Sequence, residues 1–253
     1  DGYDTVEWAA KQPWSNGKIG TIGGSYSGVT QYRMLSTQPP HLGAQFVRQS
    51  SSDYYDEWVY RGGVFEHGFN MAWTLNNTAS NARRLASVGS EDEVEKQTAK
   101  AAENYQEWLE HAPVSPLPPI AGLHRWFEDW MNHPNHDDYW EEFSITRTHD
   151  RVNVPVHHFG GWFDCFLRGT LENYAGMRAK ATTPEARAAQ RVTIGPWIHN
   201  PTPADMREAG EVDFGEQAKL GWFATRLRWF DHWLKGVDNG VGTDKPVKLF
   251  AMG

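Results

Sequence analysis

The chain has 253 residues, of which 39% are apolar and 13% aromatic, so it can bury one large core, and no apolar run approaches the length of a membrane span. The net charge of −8 is spread along the sequence without a basic stripe, which argues against nucleic acid and against a membrane as partners. The single cysteine excludes an intrachain disulfide and slightly favours a reducing, cytoplasmic location, although many exported proteins also lack disulfides.

The first part of the chain predicts a helix and then a strand that ends at a glycine-rich turn. Residues 3–11 have a helical pattern, residues 19–22 form a short apolar run, and the turn reads Gly23-Gly24-Ser25-Tyr26-Ser27-Gly28. A serine at the apex of such a strand-to-helix turn has its hydroxyl exposed, and the N–H of the next residue points to where an oxyanion would form. Ser25 is therefore a candidate nucleophile.

The glycines around Ser25 have a steric reason to be there. The turn brings strand and helix so close that side chains before and after the serine would collide. The usual pattern is G-x-S-x-G, whereas here Ser27 takes the place of the second glycine and Gly28 follows it. Because glycine and serine are common in ordinary turns, the interpretation requires an acid and a histidine later in the chain.

After a strand at residues 45–48, the sequence predicts mainly helices up to about residue 148. The clearest is 91–111, which begins with a capping box of Ser90 and Glu93; others are expected at 65–75, 123–131 and 137–145. Helices inserted between strands of an α/β sheet normally cover the active site. The cluster His133, His136, Asp137 and Asp138 lacks the spacing of a metal site, so no metal is predicted.

Two later segments supply the acid and the histidine. The apolar run 154–159 is followed by a predicted glycine turn that ends at Asp164, and the run 192–194 is followed by a second predicted turn that ends at His199. The chain order of serine, acid and histidine is one of the known orders of a catalytic triad. Cys165, next to the acid, is interpreted as a packing residue, and one of His157 and His158 is expected to be buried.

The last predicted helix spans residues 220–235 and ends at Gly236. Leu220, Phe223, Leu227, Phe230 and Leu234 recur at helical spacing, which predicts that this stripe faces the core. His232, in the same helix, is a weaker candidate for the catalytic base because triad histidines lie on loops after strands.

Taken together, these motifs resemble the cocaine-esterase-like branch of the Xaa-Pro dipeptidyl-peptidase family, over nearly the whole chain. The matching segments are Gly23-Gly24-Ser25-Tyr26-Ser27-Gly28, Gly161-Trp162-Phe163-Asp164, Gly195-Pro196-Trp197-Ile198-His199, Glu211-Val212-Asp213-Phe214-Gly215, the opening Asp1-Gly2-Tyr3-Asp4-Thr5, and Trp229-Phe230-Asp231-His232-Trp233-Leu234-Lys235-Gly236. Several motifs in the correct order are far more specific than any one of them. The resemblance implies the α/β-hydrolase fold with an inserted helical cap domain.

The resemblance also implies roles for individual residues. Ser25 would be the nucleophile, Asp164 the acid and His199 the general base, with the backbone N–H of Tyr26 as one oxyanion donor. Aromatic residues near these positions are candidates for the substrate pocket: Trp162, Phe163, Phe166, Trp197 and Tyr54. The expected reaction is acyl transfer from a small ester or amide to water, without a cofactor.

The resemblance further suggests domain boundaries. Residues 1–63 and 150–240 would form the two parts of the hydrolase core, 64–149 the helical cap, and 241–253 the start of a truncated C-terminal β-domain. In the family, N-terminal strands precede the first helix and a jelly-roll domain follows the last strand, so the chain is expected to be an internal piece of a longer hydrolase. Open sheet edges would then favour aggregation or a homo-oligomer.

Two alternatives stay open at this stage. The first is a Xaa-Pro dipeptidyl-peptidase, which is disfavoured because relatives that select free α-amino groups use clustered carboxylates and none follow Ser25 or Asp164 closely. The second is a catalytically inactive fragment of such a hydrolase. In the resembling family the second oxyanion donor is a tyrosine hydroxyl from the N-terminal region, which is expected to be missing from this sequence. Loss of one such donor lowers the rate by on the order of 10²–10³.

Overall fold

The computed structural model describes residues 1–80, 90–121 and 124–252. By their internal contacts the residues divide into two compact units, the first formed by Asp1–Asp53 with Phe143–Gly253 and the second by Tyr54–Glu142. The second unit therefore begins before the segment 64–149 that the sequence suggested as a helical cap, and ends inside that segment, at Glu142. None of the described helices is long and apolar enough to cross a membrane.

A parallel sheet of five strands lies at the centre of the first unit. The strands occur in the spatial order β1-β2-β5-β6-β9, and each pairs in parallel with its neighbour. Their bounds are β1 Ile19–Gly24, β2 Leu42–Arg48, β5 Val156–Phe163, β6 Arg191–Ile198 and β9 Val247–Leu249. Between β6 and β9 in the chain, the short strands β7 Glu208–Ala209 and β8 Val212–Asp213 pair antiparallel with each other. A parallel sheet with helices in its crossover connections is the predicted α/β architecture.

Helices connect the strands of the first unit, and most lie close to the segments that the sequence predicts. Their bounds are Gly2–Ala10, Tyr26–Leu35, Leu167–Lys180, Pro184–Ala188 and Trp222–Lys235. The last of these ends at Gly236, whose φ of 72° is the left-handed conformation that favours glycine at a helix end. That stop signal was therefore readable from the sequence alone.

Strands β5 and β6 are longer than the sequence predicts. The predicted turns at Gly160–Gly161 and at Gly195 are the second halves of strands, and the two strands pair across these glycines. A Cβ on Gly195 would overlap the indole of Trp197, and a Cβ on Gly161 would lie 3.1 Å from Trp197 Cβ. The glycines therefore make room for Trp197 inside the sheet and do not form turns.

The core on one face of the sheet is aromatic. Phe46, Phe159 and Trp197 are buried there together with Trp222 and Trp229 of the helix Trp222–Lys235. The planes of the Phe159 and Trp197 rings are 9° apart, with a centroid separation of 4.8 Å. Such contacts add to the burial of large apolar surface in holding helix and sheet together.

The predicted core stripe of this helix is wrong in part. Phe223 and Leu227 are 69% and 59% exposed, and Leu220 lies before the helix. Phe230 and Leu234 do face the sheet, where a Cβ on Gly20 would lie within 2.7 Å of both side chains. Apolar residues occur on more than one side of this helix, so more than one side could have faced the core. The side with Trp222 and Trp229 is buried, because a tryptophan removes more apolar surface from water than a leucine or a phenylalanine.

The strand β9 belongs to the central sheet. Val192, Thr193 and Ile194 of β6 pair with Val247, Lys248 and Leu249, and the assignment of residues 241–253 to the start of a C-terminal β-domain stays a prediction. The strand forms one edge of the sheet, and Val247 and Leu249 are 42% and 52% exposed. At the other edge lies β1, where Ile22 is 54% exposed.

The second unit is mainly helical, as the sequence predicts. Its helices span His67–Ser80, Glu91–Glu103, Tyr105–Glu110, Arg125–Asn132 and Asp138–Glu141, and the short strands β3 Tyr60–Arg61 and β4 Val64–Phe65 pair antiparallel. The capping box of Ser90 and Glu93 is present. Leu123, the predicted start of one helix, lies outside the described residues, and Asn104 interrupts the single helix predicted over 91–111.

Candidate active site

Ser25 lies at the sharp turn between β1 and the helix Tyr26–Leu35. Its φ of 57° and ψ of −130° are unusual for a residue with a side chain. The Ser25 N–H donates to the carbonyl oxygens of Arg48 and Gln49, at 3.0 and 3.1 Å, and Ser50 Oγ donates to the Ser25 carbonyl at 3.0 Å. These bonds from the end of β2 hold the strained serine in place, at the N-terminus of the helix.

The glycines beside Ser25 lie where the sequence argument requires them. A Cβ on Gly23 would lie 2.8 Å from the Ser27 carbonyl oxygen, and one on Gly28 would lie 2.7 Å from Ser50 Cβ. A Cβ on Gly24 would overlap the guanidinium of Arg48. Close approach of the backbone to its neighbours thus explains the glycine-rich sequence on both sides of the serine.

Asp164 and His199 form a hydrogen-bonded pair. Asp164 follows β5 and His199 follows β6, so both lie at the carboxyl ends of adjacent parallel strands. Asp164 Oδ1 and His199 Nδ1 are 2.6 Å apart; the Asp164 side chain is fully buried, and that of His199 is 34% exposed. A carboxylate at Nδ1 fixes the imidazole tautomer and leaves Nε2 as the proton acceptor.

Gln49 connects the serine to the histidine, and the sequence analysis did not single it out. Its backbone carbonyl accepts from the Ser25 N–H, while its side-chain Nε2 donates to the Ile198 carbonyl at 2.6 Å and its Oε1 accepts from the Asn200 N–H at 3.0 Å. Gln49 therefore holds the residues on both sides of His199. It is fully buried, with a φ of 46°, and no sequence motif marks this role.

Arg48, the last residue of β2, completes this connection and was also missed. Its Nη1 donates to Gln49 Oε1 at 2.7 Å and to the Asn200 carbonyl at 2.6 Å. Burial lowers the pKa of Arg48, and the nearby Asp164 carboxylate acts in the opposite direction. The guanidinium thus supplies positive charge near the acid of the pair and stiffens the backbone after His199.

Two of the aromatic pocket candidates, Trp197 and Phe166, are buried in the core. Trp197 is 1% exposed, stacks on Phe159 and donates from Nε1 to the Ala218 carbonyl at 3.1 Å. It is buried because β6 continues through it. Phe166 is also 1% exposed, and its ring lies edge-on to the His199 ring with a centroid separation of 5.5 Å. Phe166 can support the imidazole but offers no surface to a substrate.

The other aromatic candidates differ in their surroundings. Phe163, immediately before Asp164, is 48% exposed, and its ring lies 5.8 Å from that of Phe214, a residue that the sequence analysis did not propose for the pocket. Trp162 is half-buried and donates from Nε1 to the Phe250 carbonyl at 2.8 Å. Tyr54 belongs to the second unit and stacks on Trp58 there, so its place in a pocket stays a prediction.

His158, His232 and Cys165 lie in different surroundings. His158 is buried as expected, between the Tyr32 hydroxyl at Nδ1 and Gln190 Oε1 at Nε2. His232 bonds to the Val237 carbonyl near the end of its helix. Cys165 is exposed, which corrects its interpretation as a packing residue, and its Sγ lies 3.8 Å from Asp164 Oδ1.

Comparison with known proteins identifies a family. The model of the family described as "X-Pro dipeptidyl-peptidase (S15 family)" matches residues 1–201. The cocaine esterase of Rhodococcus sp. (strain MB1 Bresler) is 24% identical over 261 residues, which cover 100% of this chain and 43% of the esterase.

Two solved structures have a similar fold. An aminopeptidase from the marine sediment archaeon Thaumarchaeota archaeon has a TM-score of 0.70 at 22% identity, covering 100% of this chain and 40% of its own. A CocE/NonD family hydrolase from Staphylococcus aureus has a TM-score of 0.63 at 22% identity, and the match covers 98% of this chain and 35% of the hydrolase. The chain thus spans less than half the length of these relatives. Because the family model matches residues 1–201, which is most of its length, the chain belongs to the X-Pro dipeptidyl-peptidase (S15) family.

Proposed function

We propose that the protein is a serine hydrolase that cleaves an ester or amide bond of a small acyl substrate, with Ser25, His199 and Asp164 as its catalytic triad. The observation that carries the proposal is the 2.6 Å bond between Asp164 Oδ1 and His199 Nδ1, together with a serine held at φ 57° at the carboxyl end of another strand of the same sheet. Gln49 supports it further, because it binds the backbone of Ser25 and both neighbours of His199.

Each residue has a defined part in the reaction. Ser25 Oγ attacks the carbonyl carbon of the substrate while His199 Nε2 takes its proton, and the Asp164 carboxylate stabilises the imidazolium that forms. The Tyr26 N–H, at the first residue of the helix, is directed at the developing oxyanion. His199 then gives the proton to the leaving group. In the second half, His199 takes a proton from water as the water attacks the acyl carbon, and returns that proton to Ser25 Oγ as the bond to the acyl group breaks.

The residues next to the triad favour a substrate without a free α-amino group. Recognition of an ammonium requires carboxylates close to the nucleophile, whereas Asp164 is followed by Cys165 and Phe166. The exposed Phe163 beside Asp164 offers an apolar surface instead. A neutral or acidic acyl group fits these surroundings better than an α-amino acyl group.

A Xaa-Pro dipeptidyl-peptidase is the second candidate, and the family description is the observation that favours it. The triad itself serves esters, amides and peptides alike, so the substrate must distinguish them. A panel of p-nitrophenyl esters, acyl amides and an Xaa-Pro p-nitroanilide tests this directly. Turnover confined to the Xaa-Pro substrate would replace the acyl hydrolase proposal by the peptidase.

Labelling with a fluorophosphonate tests the triad without knowledge of the substrate. The reagent should label Ser25 of the folded protein, and Ser25→Ala and His199→Ala should each abolish the labelling. Ser27→Ala is the matched control, because Ser27 lies on the same turn and should not matter. Absence of labelling in a cooperatively folded sample would support the third candidate, an inactive member of the family.

A further inference from the structure

Cys165 brings a third metal-ligating side chain to Asp164 and His199, the acid and the base of the candidate triad. The carboxylate of Asp164, the Sγ of Cys165 and the Nδ1 of His199 all lie within 4.8 Å of one another. Cys165 Sγ is 3.8 Å from Asp164 Oδ1 and 4.0 Å from His199 Nδ1. Cys165 is exposed and the His199 side chain is 34% exposed, so an ion can reach the group within this unit from solvent.

Asp164 carries a second signal that points to a cation. Its Oδ2 is buried and has no hydrogen-bond partner among the described residues, although the side chain is fully buried. A buried carboxylate oxygen without a donor is unfavourable, because it has lost its bonds to water and gained none in the protein. A positive ion bound to the carboxylate would give Oδ2 a partner. Because a carboxylate has two oxygens, it can turn so that one of them binds the ion while the other still accepts hydrogen bonds.

The distances fit a tetrahedral zinc site after small movements. With Zn–S of about 2.3 Å and Zn–N and Zn–O of about 2.0–2.2 Å, neighbouring ligand atoms are about 3.4–3.6 Å apart. The two sulfur separations of 3.8 and 4.0 Å need to contract by only a few tenths of an ångström. The separation of Asp164 Oδ1 and His199 Nδ1 must open from 2.6 Å, which breaks their hydrogen bond.

We propose that Asp164, Cys165 and His199 form an inhibitory binding site for Zn²⁺ and similar thiophilic divalent cations, with water as the fourth ligand. The set of one thiolate, one imidazole and one carboxylate is of the type that binds zinc in proteins. Binding releases the thiol proton of Cys165 to solvent, because the thiolate is the ligand.

The inhibitory consequence rests on the proposed function. When Nδ1 of His199 binds the ion, the single proton of the neutral imidazole moves to Nε2, which then cannot accept the proton of Ser25. The ion also takes the Asp164 carboxylate away from the imidazole. One bound ion thus removes both the base and its orienting acid, so inhibition should be complete at saturation and reversible by a chelator.

Direct binding can be measured without any activity, because Cys165 is the only cysteine of the chain. Cd²⁺ is the probe: its thiolate complex has a charge-transfer band in the ultraviolet, and Zn²⁺ should displace it. We expect one Cd²⁺ per chain and no charge-transfer band in Cys165→Ser. In His199→Ala the affinity for Cd²⁺ should fall by more than the roughly 10–100-fold that is typical when a residue hydrogen-bonded to a metal ligand is removed. His133→Ala is the matched control and should leave Cd²⁺ binding unchanged. His133 Nδ1 also lies 2.7 Å from a carboxylate, that of Asp137, but no cysteine belongs to this pair among the described residues.

The outcomes separate this proposal from the proposed function. Equal Cd²⁺ affinity of the original protein and His199→Ala would reveal a lone thiol and overturn the site, as would the absence of any band in a folded sample. In a protein that hydrolyses p-nitrophenyl acetate, Zn²⁺ should abolish the rate and EDTA restore it, while Cys165→Ser, compared with its own metal-free rate, should resist. Binding without any hydrolysis would leave the cation site standing and count against the hydrolase alone.

Discussion

Removal of the Gln49 side chain should inactivate the protein while leaving it folded. In Gln49→Ala the Ile198 carbonyl loses its bond from Nε2, and the Asn200 N–H and Arg48 Nη1 lose the acceptor Oε1. Arg48 keeps its bond to the Asn200 carbonyl, so the loop is loosened and does not detach. The residue affected most is His199, which lies between the two released peptide groups.

The size of the effect follows from these bonds. A backbone group without a partner costs about 1–3 kcal/mol when buried. The Ile198 carbonyl and the Asn200 N–H are part-buried, so water partly replaces the lost bonds and the free energy of unfolding should fall by about 2–4 kcal/mol in all. A displacement of the base by about 1 Å lowers the rate by about 10²-fold. We therefore expect kcat for p-nitrophenyl acetate to fall by about two orders of magnitude, with a smaller change in KM.

Gln190→Ala is the matched control for this prediction. Gln190 is also fully buried, and its Nε2 donates to the Val154 and Ala186 carbonyls at 3.1 and 2.7 Å, but it precedes β6, at the end of that strand far from His199. Urea unfolding should show a similar loss of stability in the two variants. Of the two variants, only Gln49→Ala should lose activity, because Gln49 bonds to the backbone on both sides of the base and Gln190 does not.

A further variant separates strain from positioning. The φ of Gln49 is 46°, so Gln49→Gly removes the same amide but relieves a left-handed conformation that is unfavourable by about 1–2 kcal/mol for a residue with a side chain. Gln49→Gly should be more stable than Gln49→Ala and equally inactive. If either variant kept kcat within about threefold of the original while the stability fell as expected, Gln49 would not position the base and the argument would be refuted.

Three other predictions concern the triad, pH and the exposed surface. Ser25→Ala and His199→Ala should each remove nearly all esterase activity, and the double variant should add little because the residues act as a unit; more than about a tenth of kcat left in Ser25→Ala would contradict the triad. Burial lowers the pKa of His158 to about 3, so the unfolded chain, with a histidine pKa of about 6.5, takes up the proton first, and stability should be lost as pH falls below about 6.5. From pH 7 to 5 that share is about 2 kcal/mol, and it should be absent from urea titrations of His158→Gln. The 253-residue chain should self-associate in size-exclusion chromatography, because Phe223 and Leu227 expose apolar surface on one helix. Leu227→Glu, at a site 59% exposed, should reduce this self-association. Val64→Glu, at a site 70% exposed in the second unit, is the control and should not.

Features that depend on neighbours along the chain could be predicted from the sequence. The glycine-rich turn around Ser25, the capping box of Ser90 and Glu93, and the helix stop at Gly236 are each set by residues a few positions apart. The chain order of Ser25, Asp164 and His199 also placed each residue at the carboxyl end of a parallel strand, as the sheet has it. For these features a short window of sequence contains the physical cause.

Features that depend on contacts between distant segments were decided only by the tertiary structure. The sequence predicted turns at Gly160–Gly161 and Gly195, whereas these glycines continue the strands and admit the buried Trp197. It also predicted a buried Phe223 and a packed Cys165, and both are exposed.

The role of Gln49 shows the same division most clearly. Its bonds reach Ile198 and Asn200, which are about 150 positions away, so no local pattern could indicate them. The sequence by itself determined where helices and strands begin and which residue types could form a triad, because propensity and steric fit act locally. Which side chains are buried, and which groups hold His199 in place, depends on what the folded chain brings next to them, because burial and hydrogen bonding are properties of the packed neighbours and not of the residue alone.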